Sequence, residues 1–152
     1  MIYGAPYAPL GQEKIKSMIT LLQIKPGERA VDLGAGDGRI IIALAKHGAI
    51  THGYEMNPLL VLLGKRNIQR ANLNGNAHMH WGDMWRAELE TFDIVTIYLT
   101  AHIMQRVEQK LRKETRPGTK IVVNYFQLPK WKSIKQKNTL YLYEKTPTDK
   151  KQ

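Results

Sequence analysis

The chain contains no cysteine. That excludes a disulfide scaffold, thiolate metal sites and cysteine nucleophiles, and it fits a cytoplasmic compartment. No apolar run approaches the roughly 18–20 residues that a membrane-crossing helix needs. Met1 to Gly11 has neither a basic start nor an apolar stretch, so no signal peptide and no transmembrane segment are expected. Internal repeats and low-complexity stretches are also missing, which excludes a solenoid or a linker-rich chain.

Acidic residues are scarce in the last third. The 152 residues carry 23 Lys/Arg against 13 Asp/Glu, a net charge of +10. Residues 1–99 hold 10 basic and 9 acidic residues, whereas residues 100–152 hold 13 and 4. A basic third on a neutral body points to an anionic partner (nucleic acid, an acidic protein or a membrane surface) or to a solubilising surface. The length predicts a single domain over 1–152, with an extended segment at 1–11 and a frayed basic tail at 146–152.

What is present is an alternation of short apolar runs and amphipathic stretches, the pattern of βαβ units and a mainly parallel sheet. Helices are expected over 12–23, 39–46, from Pro58 to about Asn72, and over 102–114. Strands are expected over 30–33, 50–55, 77–80, 92–99 and 120–126, with a closing hairpin from 131–136 and 139–144. The predicted fold is α/β: a Rossmann-like three-layer sandwich with a mostly parallel seven-strand sheet and an antiparallel closing strand.

The chemistry concentrates between the first strand and the second helix, in Val31-Asp32-Leu33-Gly34-Ala35-Gly36-Asp37-Gly38-Arg39. Glycines let the backbone turn with positive φ and approach a ligand closely. The helix that follows offers free N–H groups and a positive dipole end. Glu55, at the end of the second strand, suits the two hydroxyls of a ribose. A dinucleotide loop reads Gly-x-Gly-x-x-Gly. Here Gly34, Gly36 and Gly38 are spaced Gly-x-Gly-x-Gly, flanked by Asp32 and Asp37. Two carboxylates suit a cationic ligand better than a pyrophosphate. S-adenosylmethionine, with its sulfonium and ammonium, fits that charge pattern. Asp83 and Met84, after the third strand, are placed for the adenine amino group.

Asp32-Leu33-Gly34-Ala35-Gly36-Asp37-Gly38 resembles motif I of the class I (seven-strand, Rossmann-like) S-adenosylmethionine-dependent methyltransferases. Glu55 and Asp83 match the acidic residues after their second and third strands. Pro6-Tyr7-Ala8-Pro9, Tyr98-Leu99, Arg116-Pro117-Gly118-Thr119 and Thr139-Leu140-Tyr141-Leu142-Tyr143 resemble a narrower group. This is the small archaeal protein-lysine methyltransferases and their mitochondrial relatives, which modify the c ring protein of ATP synthase and the adenine nucleotide translocase. Two details depart from that group: Leu10 follows Pro9, and the strand ending Asn124-Tyr125-Phe126 is unusually polar and aromatic.

The resemblance implies direct in-line methyl transfer to a lysine amine of a protein substrate, with S-adenosylhomocysteine as product; a monomeric, cytoplasmic protein is expected alongside. Tyr98 and Tyr125 are candidates for an aromatic channel that receives neutral lysine, and Tyr7 for closing over the cofactor. The cofactor-binding candidates are Tyr7, Asp32, Gly34, Ala35, Gly36, Asp37, Gly38, Glu55, Asp83 and Met84.

Other readings stay open. RNA or a small molecule can be the substrate, or the domain can bind cofactor without transferring its methyl group. The Asn/Asp-Pro-Pro-Tyr/Phe signature of base methylation is missing after the fourth strand, where the chain reads Ile97-Tyr98-Leu99-Thr100. His78-x-His80 places two imidazoles on one strand face without a third ligand in sequence, so no metal is expected. Trp81 and Trp85 flank Asp83, His102 can cap its helix, and Asp93 reads as a strand-edge residue.

Overall fold

The computed structural model describes residues 9–149. The first helix, α1 (Gln12–Leu22), starts after extended Gly11 and buries Ile15, Met18 and Leu22 on one stripe. It ends at Gln23 in the left-handed region. Strand β1 (Arg29–Leu33) leads into α2 (Arg39–Lys46), and β2 (Ile50–Glu55) into α3 (Pro58–Arg70). Asn57 caps α3 by accepting the Leu59 N–H at 3.0 Å, with Pro58 in the first turn, where its missing N–H costs nothing. Then come β3 (Ala77–Trp81), two single 3-10 turns, β4 (Ile94–Ile97), a third 3-10 turn and α4 (Met104–Glu114). The chain closes with β5 (Lys120–Asn124), β6 (Lys135–Lys137) and β7 (Leu140–Glu144).

The seven strands form one sheet in the order β3-β2-β1-β4-β5-β7-β6. The first five run parallel, β7 is antiparallel to β5, and β6 is antiparallel to β7. This is the Rossmann-like methyltransferase arrangement expected from the sequence. Parallel strands covered on both faces read as continuous apolar runs, and β4 is buried throughout. One face is covered by α1, α2 and α3 through Met18, Leu22, Ile40, Leu44, Val61 and Ile68. The other is covered by α4 through Val107 and Leu111, together with Leu89, Leu128 and Trp131 from irregular segments.

Several boundaries differ from expectation. Strand β4 is shorter than 92–99, because Phe92 and Asp93 close its entrance and Tyr98 and Leu99 turn into the loop beyond. Strand β6 is three exposed residues rather than 131–136. Trp131 owes its apolar signal to packing on Tyr143, not to a strand. His102 lies in the 3-10 turn Ala101–Ile103 and makes no capping bond, and α4 begins two residues later than expected. Within the described part of the tail, the Asp149 carboxylate accepts from the N–H and hydroxyl of Thr146, each at 2.7 Å, closing a turn where fraying was expected.

Candidate cofactor and substrate cleft

Strand order reverses between β1 and β4, and ligands bind in the crevice that such a reversal opens beyond the strand ends. There the described residues form a cleft of about 850 Å³. Its floor is the loop after β1. Gly34, Gly36 and Gly38 have φ of 84°, 57° and 83°, in the left-handed region that favours glycine. A Cβ on Gly34 would also lie 3.2 Å from a Leu99 methyl. The Gly34 and Ala35 N–H groups are tied to the Tyr54 carbonyl at 3.0 and 2.9 Å, so β2 holds the loop in place.

Glu55 braces the loop. One carboxylate oxygen accepts the Gly36 N–H and the other the Asn57 N–H, both at 2.9 Å. A carboxylate has about four acceptor sites, so each oxygen keeps capacity for a ribose hydroxyl. Asp83 accepts the Trp85 N–H at 2.9 Å with one oxygen. Met84 and Trp85 line the same wall, and Arg106 stacks on the Trp85 ring 3.9 Å from its centroid.

Asp32 is the most unusual group. It is 1% exposed, and its Oδ1 accepts the Thr96 hydroxyl at 2.8 Å. Its Oδ2 is buried with no partner, although the residue lines the cleft. Burial pushes its carboxyl up to about 7. The Thr96 bond opposes this, and the neighbouring Glu55 charge adds to it. A buried acceptor without a donor marks a place for a ligand donor, and a cationic one relieves the charge as well. Asp37 differs. Its carboxylate is gripped by the Arg39 guanidinium, at 2.7 Å to Nη2, while another nitrogen of Arg39 donates to the Leu10 carbonyl at 3.2 Å. The acids flanking the loop thus divide: Asp37 anchors the chain before α1, and Asp32 keeps an unmatched oxygen.

The cleft lining also includes Gly34, Ala35, Gly36, Asp37, Glu55, Asp83, Met84 and Tyr98 from the sequence reading. Gly38 sits just behind, where its carbonyl accepts from Ile42 at the start of α2. Tyr125 is not in the lining. At φ 72° its ring turns outward, half exposed, with the Lys14 ammonium 4.8 Å from its centroid, and Phe126 lines the cleft instead. Tyr7 lies outside the described residues. Thr96, Arg106 and Phe126 were not anticipated. Of these, Phe126 carried a local signal, as the second aromatic of the Asn124-Tyr125-Phe126 strand end. Trp85 lines the cleft, whereas Trp81 is exposed away from it. His78 and His80 are joined by His52 on the next strand, stacked with centroids 4.9 and 5.1 Å from His52. His52 and His80 share a hydrogen bond at 2.8 Å, and among the described residues no such group is placed to hold a metal ion.

The family model for the ANTKMT methyltransferase domain matches residues 32–135. The chain belongs to this family. The adenine nucleotide translocase lysine N-methyltransferase of Mus musculus is 34% identical over 130 residues, covering 85% of this chain and 56% of its own length. The chain therefore spans little more than half the length of that relative. A protein-lysine N-methyltransferase of Saccharolobus islandicus is 29% identical over 148 residues, covering 91% of this chain and 92% of its own. Among solved structures, an RNA methyltransferase from Salinibacter ruber in complex with S-adenosyl-L-homocysteine superposes with a TM-score of 0.88 at 28% identity. It covers 92% of this chain and 95% of its own. The cofactor of this fold is S-adenosylmethionine, and the cleft fits it: an unpartnered buried carboxylate oxygen for a cation, a brace with spare acceptors for a ribose, and Asp83 beyond.

Proposed function

We propose that the protein is an S-adenosylmethionine-dependent protein-lysine N-methyltransferase working by direct in-line transfer. The observation that carries this reading is the division of charge along the cleft. All four lining carboxylates, Asp32, Asp37, Glu55 and Asp83, come from β1, β2 and the segments that follow β1 and β3. The lining that follows β4 and β5, made of Tyr98, Leu99, Thr100, His102, Ile103, Arg106 and Phe126, has no carboxylate.

When bound, S-adenosylmethionine supplies an electrophilic methyl group on sulfur. The residues of this chain supply alignment. Asp32 and Glu55 orient the cofactor end, and the Tyr98–Thr100 segment after β4 lines the cleft that would receive a substrate chain. A lysine amine is a nucleophile only when neutral, and its free pKa is about 10.4. A lining that carries the Arg106 charge and no carboxylate, with Leu99, Ile103 and Phe126 as its apolar part, withholds stabilisation from an ammonium and favours the free base. No dedicated general base is required. The cysteine-free composition and high net charge support a monomer in the cytoplasm.

The relative of matching length, a protein-lysine N-methyltransferase, supports a protein substrate. A second reading, RNA methylation, draws support from the name of the Salinibacter protein and from the basic last third. The test uses cofactor with a radiolabelled methyl group and mixed protein and RNA from the host. Label recovered as methyl-lysine after acid hydrolysis supports the proposal, and label only in RNA replaces it with the second reading. Absence of label, with cofactor binding intact, reduces the domain to a binding module.

A further inference from the structure

Helix α3 buries Val61, Gly64 and Ile68 against the sheet. Its outer side leaves Leu59 75% and Leu62 67% exposed, with Leu63 beside them also exposed. These positions, i, i+3 and i+4, share one helical face. Trp81, at the end of edge strand β3, is 71% exposed. Its indole N–H donates to the Met56 carbonyl at 3.0 Å, which satisfies the ring's one polar atom and ties it to the chain entering α3. Met56 is exposed as well. Soluble surfaces seldom gather large apolar side chains in one place without a use for them.

The segment that builds this face carries charge of one sign, with Glu55, the register partner of Trp81, and Asp83 at its borders. From Met56 to Gly82 there is no Asp or Glu, while Lys65, Arg66 and Arg70 on α3 are all exposed. The apolar residues occupy the first half of the helix and the basic ones the second. Leu59, Leu62 and Trp81 stand mostly exposed, and none of them lines the cleft described above. A second copy of the protein would bring the same cations together on a molecule already at +10.

We infer that this face is a docking surface for an anionic lipid bilayer. Leu59, Leu62, Leu63, Met56 and Trp81 enter the boundary between headgroups and acyl chains, and Lys65, Arg66 and Arg70 meet the anionic headgroups. One short face of this size gives reversible attachment. Because Met56, Asn57 and Leu60 also line the cleft, docking holds the ribose end of the cofactor site close to the membrane surface. The inference does not depend on the lysine reading.

The test is co-sedimentation of the full chain with vesicles of phosphatidylcholine containing about one third phosphatidylglycerol, against phosphatidylcholine alone. Expected is binding to the anionic vesicles only, weakened about tenfold or more in Leu59→Ser/Leu62→Ser and in Lys65→Glu/Arg66→Glu. Neither pair lines the cleft, so affinity for S-adenosylhomocysteine by calorimetry and the melting temperature stay close to those of the parent. Tryptophan emission shifts to the blue on anionic vesicles, and Trp81→Phe removes the shift. Four results would overturn the inference. They are no binding to anionic vesicles, equal binding by the double-serine variant, a concentration-dependent dimer abolished by that variant, or binding to soluble polyglutamate that needs Leu59 and Leu62.

Discussion

Replacing Asp32 with Asn removes a charge that the ligand-free protein holds at a loss. The carboxyl is 1% exposed, receives one hydrogen bond, and ionises only near pH 7 rather than 3.8. In the unfolded chain it ionises at the ordinary value. The raised folded value means that its contribution to stability is fully present below about pH 4. That contribution is lost as pH rises to 7, because the unfolded state gives up its proton first. Above pH 7 the whole difference is felt, on the order of 4 kcal/mol. Asn keeps the acceptor for Thr96 but places an amide N–H2 where Oδ2 lay, which returns about 1–2 kcal/mol of the gain. Asp32→Asn is therefore expected to stabilise the ligand-free protein by about 2–3 kcal/mol at pH 8, a rise in melting temperature of roughly 4–10 °C. Near pH 4, where the ionisation gain is almost gone, the amide cost remains and the variant is expected to melt slightly below the parent. The same variant loses about ten- to hundred-fold in S-adenosylmethionine affinity, because the unmatched carboxylate oxygen is the acceptor for the cationic end of the ligand. Thermal melts at pH 4, 6 and 8, paired with calorimetry, measure both effects. A variant no more stable than the parent at pH 8, or a difference independent of pH, would refute the uncompensated-charge argument.

Glu55→Ala removes the bridge between the Gly36 and Asn57 N–H groups and is expected to weaken cofactor binding by at least about tenfold; Glu55→Gln, which keeps one acceptor, retains part of it by calorimetry. Gly53→Ala places a Cβ 2.5 Å from the Ala35 Cβ and should cost about 1–3 kcal/mol in urea unfolding. Adding Ala35→Gly recovers part of that loss if the contact is the cause. Burial, then the charges of His80, His78 and Arg29, hold His52 down to about 4. Its contribution to stability is present above pH 6.5 and lost as pH falls toward 4, so His52→Leu should flatten the acid limb of a urea-midpoint profile. Buried Glu108 accepts from Arg112 Nε at 3.2 Å and from the Lys130 N–H at 2.9 Å. Glu108→Ala strands both donors and is expected to destabilise by about 2–4 kcal/mol.

Local chemistry was the legible part. The glycine loop, its flanking acids and the Asn57-Pro58 helix start depend on residues within a few positions of one another, and α2 and β2 appear with the expected boundaries. Pairings set by register were not legible. Thr96 reaches Asp32 across 64 positions, and His52 joins His78 and His80 because β2 lies beside β3. Arg39 has the sequence position of a helix start but binds both Asp37 and the Leu10 carbonyl, so only one of the two flanking acids retains an unmatched oxygen. Leu128 and Trp131 are deceptive in another way. They are core residues on an irregular segment held by the Leu128 N–H donating to the Tyr143 hydroxyl at 3.0 Å, and burial without periodicity imitates a strand.

The lysines of this basic chain fall into two populations. Lys110 donates to the carbonyls of Trp85 and Ala87 and to Glu114, riveting the cleft wall at Trp85 to α4. Lys120 is held by the Leu22 carbonyl and Glu28, and Lys145 by the Arg112 carbonyl. Lys113, Lys130, Lys132, Lys135 and Lys137 make no side-chain hydrogen bond or ion pair among the described residues. Acylating or reductive-methylation reagents would meet the second population first. Methylation there preserves the positive charge and disturbs no internal contact. The Lys110 amine, whose loss would open the cleft wall, is held by three acceptors and its side chain is only 9% exposed, so such reagents reach it last.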